Sequence, residues 1–222
     1  MTDASPAERL QGVKTAIARA AKLARRSPDD VALIAISKTH GPDTILPLLE
    51  AGQRRFGENR VQEAEAKWPA LRQRFDDVEL HLVGQLQSNK GEEAVALFDA
   101  IHSVDRSSLV EAIAKAVAKT GRRPKCFVQV NIGDEPQKGG CATAELPALL
   151  EQCAEAALPV AGLMCIPPAD VEPAPYFALL AKLARHHGLA GLSMGMSDDY
   201  ETAVTIGATH ARVGTALFGE RS

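Results

Sequence analysis

The sequence predicts an α/β protein folded as a (β/α)8 TIM barrel, preceded by one extra N-terminal helix. Short β-branched apolar runs alternate with longer Ala/Leu-rich helical stretches along the whole chain. The strand runs are apolar on both faces, which implies parallel strands covered by helices. About eight strand–helix units follow at intervals of roughly 25 residues, the number that closes a barrel. A doubly wound open sheet fits the same alternation, because periodicity does not report closure. No Pro/Ser-rich linker or shift in composition divides the 222 residues. One domain over 1–222 is therefore expected, with 1–28 as a helical segment packed on the barrel.

The opening helix runs from residue 7 to about residue 26. Residues 31–37 (VALIAIS) form a near-continuous apolar strand, and 42–51 a helix closed by Gly52. A short strand over 54–57 precedes a helix over 61–74 with Glu and Lys along its exposed face. The strand within ELHLVG (81–84) leads to a helix over 91–97, and the strand 100–103 to a strongly periodic helix over 107–119. Residues 126–132 (CFVQVNI) are the clearest strand of the second half, followed by a helix over 145–157. The remaining strands are 160–164, 191–194 and 210–213, with helices over 175–187 and 200–206 and a last helix after RVG.

Composition removes several function classes. Lys plus Arg number 25 against 28 Asp plus Glu, a net charge of -3, and no basic run exceeds two or three residues. A dedicated nucleic-acid binder normally carries a basic face, and at 4% aromatic residues base-stacking platforms are also not expected. Cys126, Cys141, Cys153 and Cys165 stand apart without a CxxC pair, so neither a disulfide framework nor a zinc site is expected. The six histidines show no ligand spacing, and no metal is expected. The N-terminus lacks an apolar h-region and no run reaches the roughly 18 apolar residues of a membrane span. A reduced cytoplasmic protein is the expectation.

In a barrel, functional residues follow the strands at the C-terminal face, and the post-strand segments here are the most chemically loaded. Lys38 ends an apolar strand. Desolvation there lowers an amine's pKa and frees it for Schiff-base chemistry, although a strand-end lysine also snorkels readily to solvent. SMGMSDD and RVGTALFG follow the seventh and eighth strands, where small residues and hydroxyls leave backbone N–H groups for an anion. Those two loops are the recurrent phosphate site of TIM barrels, whereas each glycine alone would serve a tight turn. Asn59, Asn89 and Asn131 read individually as turn formers, Met164 and Met196 as packing residues. NIGDEPQKGG, with Lys138, reads as a mobile solvated loop.

Six ordered motifs, AISKTH, FGENRVQE, HLVGQLQSNK, GLMCIPP, SMGMSDDYETAV and RVGTALFG, span about residues 31–219. Through them the chain resembles the YggS/PROSC family of pyridoxal-phosphate-binding proteins. The resemblance implies a barrel similar to the N-terminal domain of alanine racemase, holding pyridoxal 5'-phosphate (PLP) as a lysine Schiff base. By position, it assigns the Schiff base to Lys38 and the phosphate to Ser197, Gly214 and Thr215. Arg212 matches the arginine facing the pyridine nitrogen, and Asn59 a polar residue near the cofactor. The chain departs from the family pattern at Gln85, where many relatives have proline, and at Gly139-Gly140, where Ser-Gly is usual. Neither departure is expected to touch the lysine or the phosphate cup.

Three functions remain open on the sequence. A non-catalytic protein of vitamin B6 homeostasis would hold PLP and deliver it to PLP-dependent apo-enzymes. A small PLP enzyme such as an amino-acid racemase needs a second acid/base, for which the chain offers only Tyr176 and Tyr200. A cofactor-free aldolase would use Lys38 alone. PLP carbanion chemistry favours a protonated ring nitrogen, which an arginine opposes, so the carrier is the expected function. A monomer is expected, because no long exposed apolar stripe is legible.

Overall fold

The computed structural model describes residues 4–219. Helix α1 (Pro6–Leu23) begins in a capping box: the Ser5 hydroxyl accepts from the Glu8 N–H, and the Glu8 carboxylate takes the Ser5 N–H. Its buried residues Leu10, Val13, Ile17, Ala20 and Ala21 recur at helical spacing and form one apolar stripe. That stripe packs toward α8 (Tyr200–Ile206) and α9 (Thr215–Phe218). Arg26 just beyond the helix donates to the carbonyls of Val204 and Ala208, both at 2.9 Å.

Eight strands alternate with the remaining helices. They are β1 (Ala32–Ile36), β2 (Arg55–Glu58), β3 (Glu79–Leu82), β4 (Ala100–Val104), β5 (Lys125–Gln129), β6 (Val160–Met164), β7 (Gly191–Ser193) and β8 (His210–Val213). Between them lie α2 (Pro42–Glu50), α3 (Val61–Arg74), α4 (Gly91–Leu97), α5 (Ser107–Thr120), α6 (Leu146–Glu155) and α7 (Ala174–His186). All neighbours pair in parallel and β1 pairs with β8, so the sheet is a closed barrel and the open-sheet alternative is excluded. Successive strand side chains alternate between the helices and the barrel axis. Leu33, Ala35, Phe56 and Leu80 join the core under the helices, where Phe56 meets Trp68 at 5.0 Å. Each fully buried large apolar side chain contributes about 1.5–3 kcal/mol.

Two expectations are corrected. The strand foreseen over 126–132 ends at Gln129; Val130 keeps only an isolated bridge to Cys141. The Asn131 side chain ends the strand by bonding both the N–H and the carbonyl of Glu135. Lys67 does not lie on the exposed face of α3 but is 6% exposed, inside an ion pair described below. All four cysteines are buried and free. Among the described residues no helix is long and apolar enough to cross a membrane, and no three or more His, Cys, Asp or Glu cluster as metal ligands.

Candidate functional site

A cavity of about 450 Å³ opens at the C-terminal ends of the strands, within the size range of ligand pockets. Strand parity determines what enters it. Lys38 continues the inward series Ile34, Ile36; Arg212 and Gly214 continue that of His210; and Asn59 that of Gly57. Lys38, Asn59, Ser197, Arg212, Gly214 and Thr215 all line this one cavity. Six residues spread over 178 positions of sequence, 38 to 215, are brought together.

Ser37 has the opposite parity and points outward, and this is how the turn carrying Lys38 is held. Its hydroxyl donates to Glu58 Oε1 at 2.5 Å, which also accepts from Trp68 Nε1 and Lys67 Nζ. Lys67 Nζ donates further to the carbonyls of Ser37 (2.9 Å) and His40 (3.0 Å), and Glu63 accepts the Thr39 N–H. Thr39 sits at φ 66°, a conformation a β-branched residue adopts only when its surroundings impose it. Burial pushes the Glu58 carboxyl above its ordinary pKa despite these donors.

Arg212 is buried at the base of the cavity. It donates to Ser193 Oγ at 2.8 Å and to the Cys165 carbonyl at 2.9 Å. Burial lowers its pKa from the ordinary value. In the β7–α8 loop the Ser197 hydroxyl accepts from the backbone N–H groups of Gly214 (3.2 Å) and Ala216 (3.4 Å), tying the two loops together. Gly195, at φ 92°, permits this: a Cβ there would stand 2.6 Å from that of Ala203.

The sequence profile of the family described as "Alanine racemase, N-terminal domain" matches residues 13–222. The "Pyridoxal phosphate homeostasis protein" of Aquifex aeolicus is 40% identical over 226 residues, covering 96% of this chain and 97% of that protein. The chain belongs to the pyridoxal phosphate homeostasis protein family. The Escherichia coli K12 member is 36% identical over 231 residues, with 97% of this chain and 96% of that protein covered. The solved structure of PipY from Synechococcus elongatus PCC7942 with PLP bound is 41% identical, with a TM-score of 0.84, over 97% of this chain and all of that one. Alanine racemase from Bacillus anthracis shares the fold, with a TM-score of 0.66 at 20% identity, over 96% of this chain and 56% of its own.

Several cavity residues were not singled out by the sequence, and two expectations about this region change. Met196 is 39% exposed and lines the cavity; it is not a packing residue, whereas Met164 is buried. The segment 133–140 is latched, not merely solvated: Lys138 Nζ donates to the Pro167 carbonyl at 2.8 Å, and the Gly140 N–H to Asp105. Gln85 and Gly139, at the two departures from the family pattern, line the same cavity as Lys38. Gln85 Nε2 donates to Gln129 Oε1 at 3.2 Å, whose own amide donates to the Gly139 carbonyl at 3.0 Å. A Cβ on residue 139 would stand 1.6 Å from Gln85 Nε2, so the Gln85 amide occupies the space that the absent side chain at 139 leaves. Gln129 could have been found as the polar, inward-facing end of an apolar strand.

That coupling gives a measurable expectation. Gly139→Ala should displace the Gln85 amide and cost about 0.5–1.5 kcal/mol, one hydrogen bond. In a Gln85→Ala background the same change should cost nothing further. Urea titration of the four proteins of this cycle decides it: additive costs would show that the two residues are independent.

Proposed function

We propose that this protein binds PLP in the cavity as a single chain in the cytoplasm, held covalently on Lys38, and delivers it to PLP-dependent apo-enzymes without catalytic turnover. The observation that carries this is the meeting, in one cavity, of an amine, a guanidinium and a hydroxyl–N–H cluster. That donor set fits the three recognisable parts of PLP. Lys38 would hold the aldehyde carbon, Arg212 would face the ring nitrogen, and Ser197, Gly214 and Thr215 would take the phosphate, with Asn59 beside the ring. When bound, PLP supplies an aldehyde that condenses reversibly with an amine and a ring that withdraws electrons.

The chain's own residues favour holding over turnover. Arg212 stays charged, so it transfers no proton to the ring nitrogen and opposes protonation there, which weakens electron withdrawal. The Ser197 hydroxyl, whose oxygen accepts the Gly214 and Ala216 N–H groups, has its own proton to donate to a dianion. The PLP-bound structure of PipY supports the reading.

A racemase is the second reading, and one observation favours it. His40 and Asp198 line the cavity with Lys38, so titratable side chains other than the tyrosines stand there. PLP-loaded protein should restore activity to a PLP-dependent apo-enzyme while giving no useful rate of Cα deuterium exchange on amino acids in deuterated water. Rapid exchange would replace the carrier by an enzyme. Ser197→Ala should weaken PLP by roughly 1.5–3 kcal/mol and leave pyridoxal, which lacks the phosphate, unaffected. Equal losses for both ligands would remove Ser197 from the phosphate.

A further inference from the structure

Below the cavity, the barrel axis holds a continuous polar column. Arg212 Nη1 donates to Ser193 Oγ at 2.8 Å; Ser193 Oγ lies 2.8 Å from His102 Nδ1, and His102 Nε2 lies 2.9 Å from His81 Nδ1. His81 Nε2 faces Glu79 Oε2 at 3.8 Å, where β3 begins at the N-terminal end of the barrel. Arg212, Ser193, His102 and His81 are all buried. Polar groups at such depth persist only when bonded, and a column of them displaces apolar packing that would stabilise a barrel more simply.

Arg212 fixes the direction of the first bond, and the need to satisfy the buried serine hydroxyl sets the next. A guanidinium only donates, so Ser193 Oγ must accept from it. The serine's own proton then goes to His102 Nδ1, the other partner of that oxygen, because accepting a second bond instead would leave a buried hydroxyl proton without an acceptor. His102 therefore carries its proton on Nε2 and donates to His81 Nδ1. His81 in turn carries its proton on Nε2, which faces the Glu79 carboxylate at 3.8 Å, beyond hydrogen-bond reach, and ends the column without a partner among the described residues. Burial lowers the pKa of both rings, opposed at His81 by the Glu79 carboxylate. Phe127 stacks on His102 at 4.3 Å and 14°, holding the imidazole plane in the line of the column.

We propose that Ser193, His102 and His81 are positioning residues, a one-way hydrogen-bond relay through the barrel that orients Arg212 toward the cofactor ring. This rests on the PLP reading above. The relay orients the guanidinium with neutral acceptors, Ser193 Oγ and the Cys165 carbonyl, where an arginine is more often held by a carboxylate. Its positive charge is thus left for the cavity.

Two measurements test this. Ring-nitrogen NMR of the protein without PLP should show His81 and His102 as neutral Nε2–H tautomers from about pH 6 to 8. Either ring protonated on Nδ1 would overturn the relay. In PLP-loaded protein, His102→Leu and Ser193→Ala should shift the visible absorption band and speed PLP release about fivefold, the loss of one hydrogen bond. His102→Gln, which can still accept and donate, should restore most of both. Folded His102→Leu and Ser193→Ala proteins with the wild-type band and release rate would overturn the positioning role. A wild-type protein that takes up no PLP would instead remove the cofactor reading and the relay's target, while the NMR spectrum would still decide the bond direction.

Discussion

Replacing Lys38 by alanine is expected to abolish covalent attachment of PLP while leaving the barrel folded. Lys38 lies two residues beyond the last residue of β1 and is half-buried, so its truncation opens the cavity and leaves the layers beneath intact. The turn that carries it is fastened through Ser37, Thr39 and His40, all outside the lost side chain. The competing amine at the same cavity is Lys138, already held by the Pro167 carbonyl and by Glu135 at 2.5 Å. Mass spectrometry after borohydride reduction should therefore find the wild-type adduct on Lys38 and none on the variant. A full-occupancy adduct on another lysine would refute the assignment. Far-ultraviolet circular dichroism should be unchanged.

The largest loss of stability is expected behind that turn. Glu58→Ala removes the acceptor shared by Ser37, Trp68 and Lys67, and leaves a buried ammonium with Glu63 as its remaining carboxylate. Breaking a buried pair from one side costs about 3–5 kcal/mol, because the surviving charge is desolvated without compensation. Removing both partners with apolar residues of similar volume is far milder, so Glu58→Met combined with Lys67→Met should recover most of the loss. Urea unfolding at unchanged m-value measures both. Equal destabilisation of single and double variants would mean that packing, not charge, governs the site. Because Lys67 also holds the Ser37 and His40 carbonyls, even the stable double variant should form the Lys38 adduct more slowly.

The barrel was legible because its signals are local. Strands such as ALIAI are apolar on both faces, and helices such as Ser107–Thr120 carry clean periodicity and end at a left-handed Gly121. Lys38, Ser197 and Arg212 were legible because they sit in motifs, and because post-strand positions of a barrel share one face. What escaped depends on pairs distant in sequence. Lys67 reads as an exposed helical lysine until α3 is laid over the β1 turn. His81, His102 and Ser193 are three unremarked polar residues until closure sets their strands around one axis. The latching of 133–140 rests on Asp105, Gln129 and Pro167, none of which signals a partner in the sequence.

The buried cysteines acquire a meaning from what the cavity is proposed to hold. Free aldehydes are trapped by thiols as well as by amines, and the attacking species is the thiolate. Burial pushes the thiols of Cys126, Cys141 and Cys165 up to about 12 and that of Cys153 to about 11. Cys165 adjoins Ile166 in the cavity wall, yet its sulfur is turned away from solvent and stays protonated at neutral pH. Sulfur is thereby withdrawn from the competition for a carbonyl carbon, and Lys38 meets that carbon without a thiolate rival.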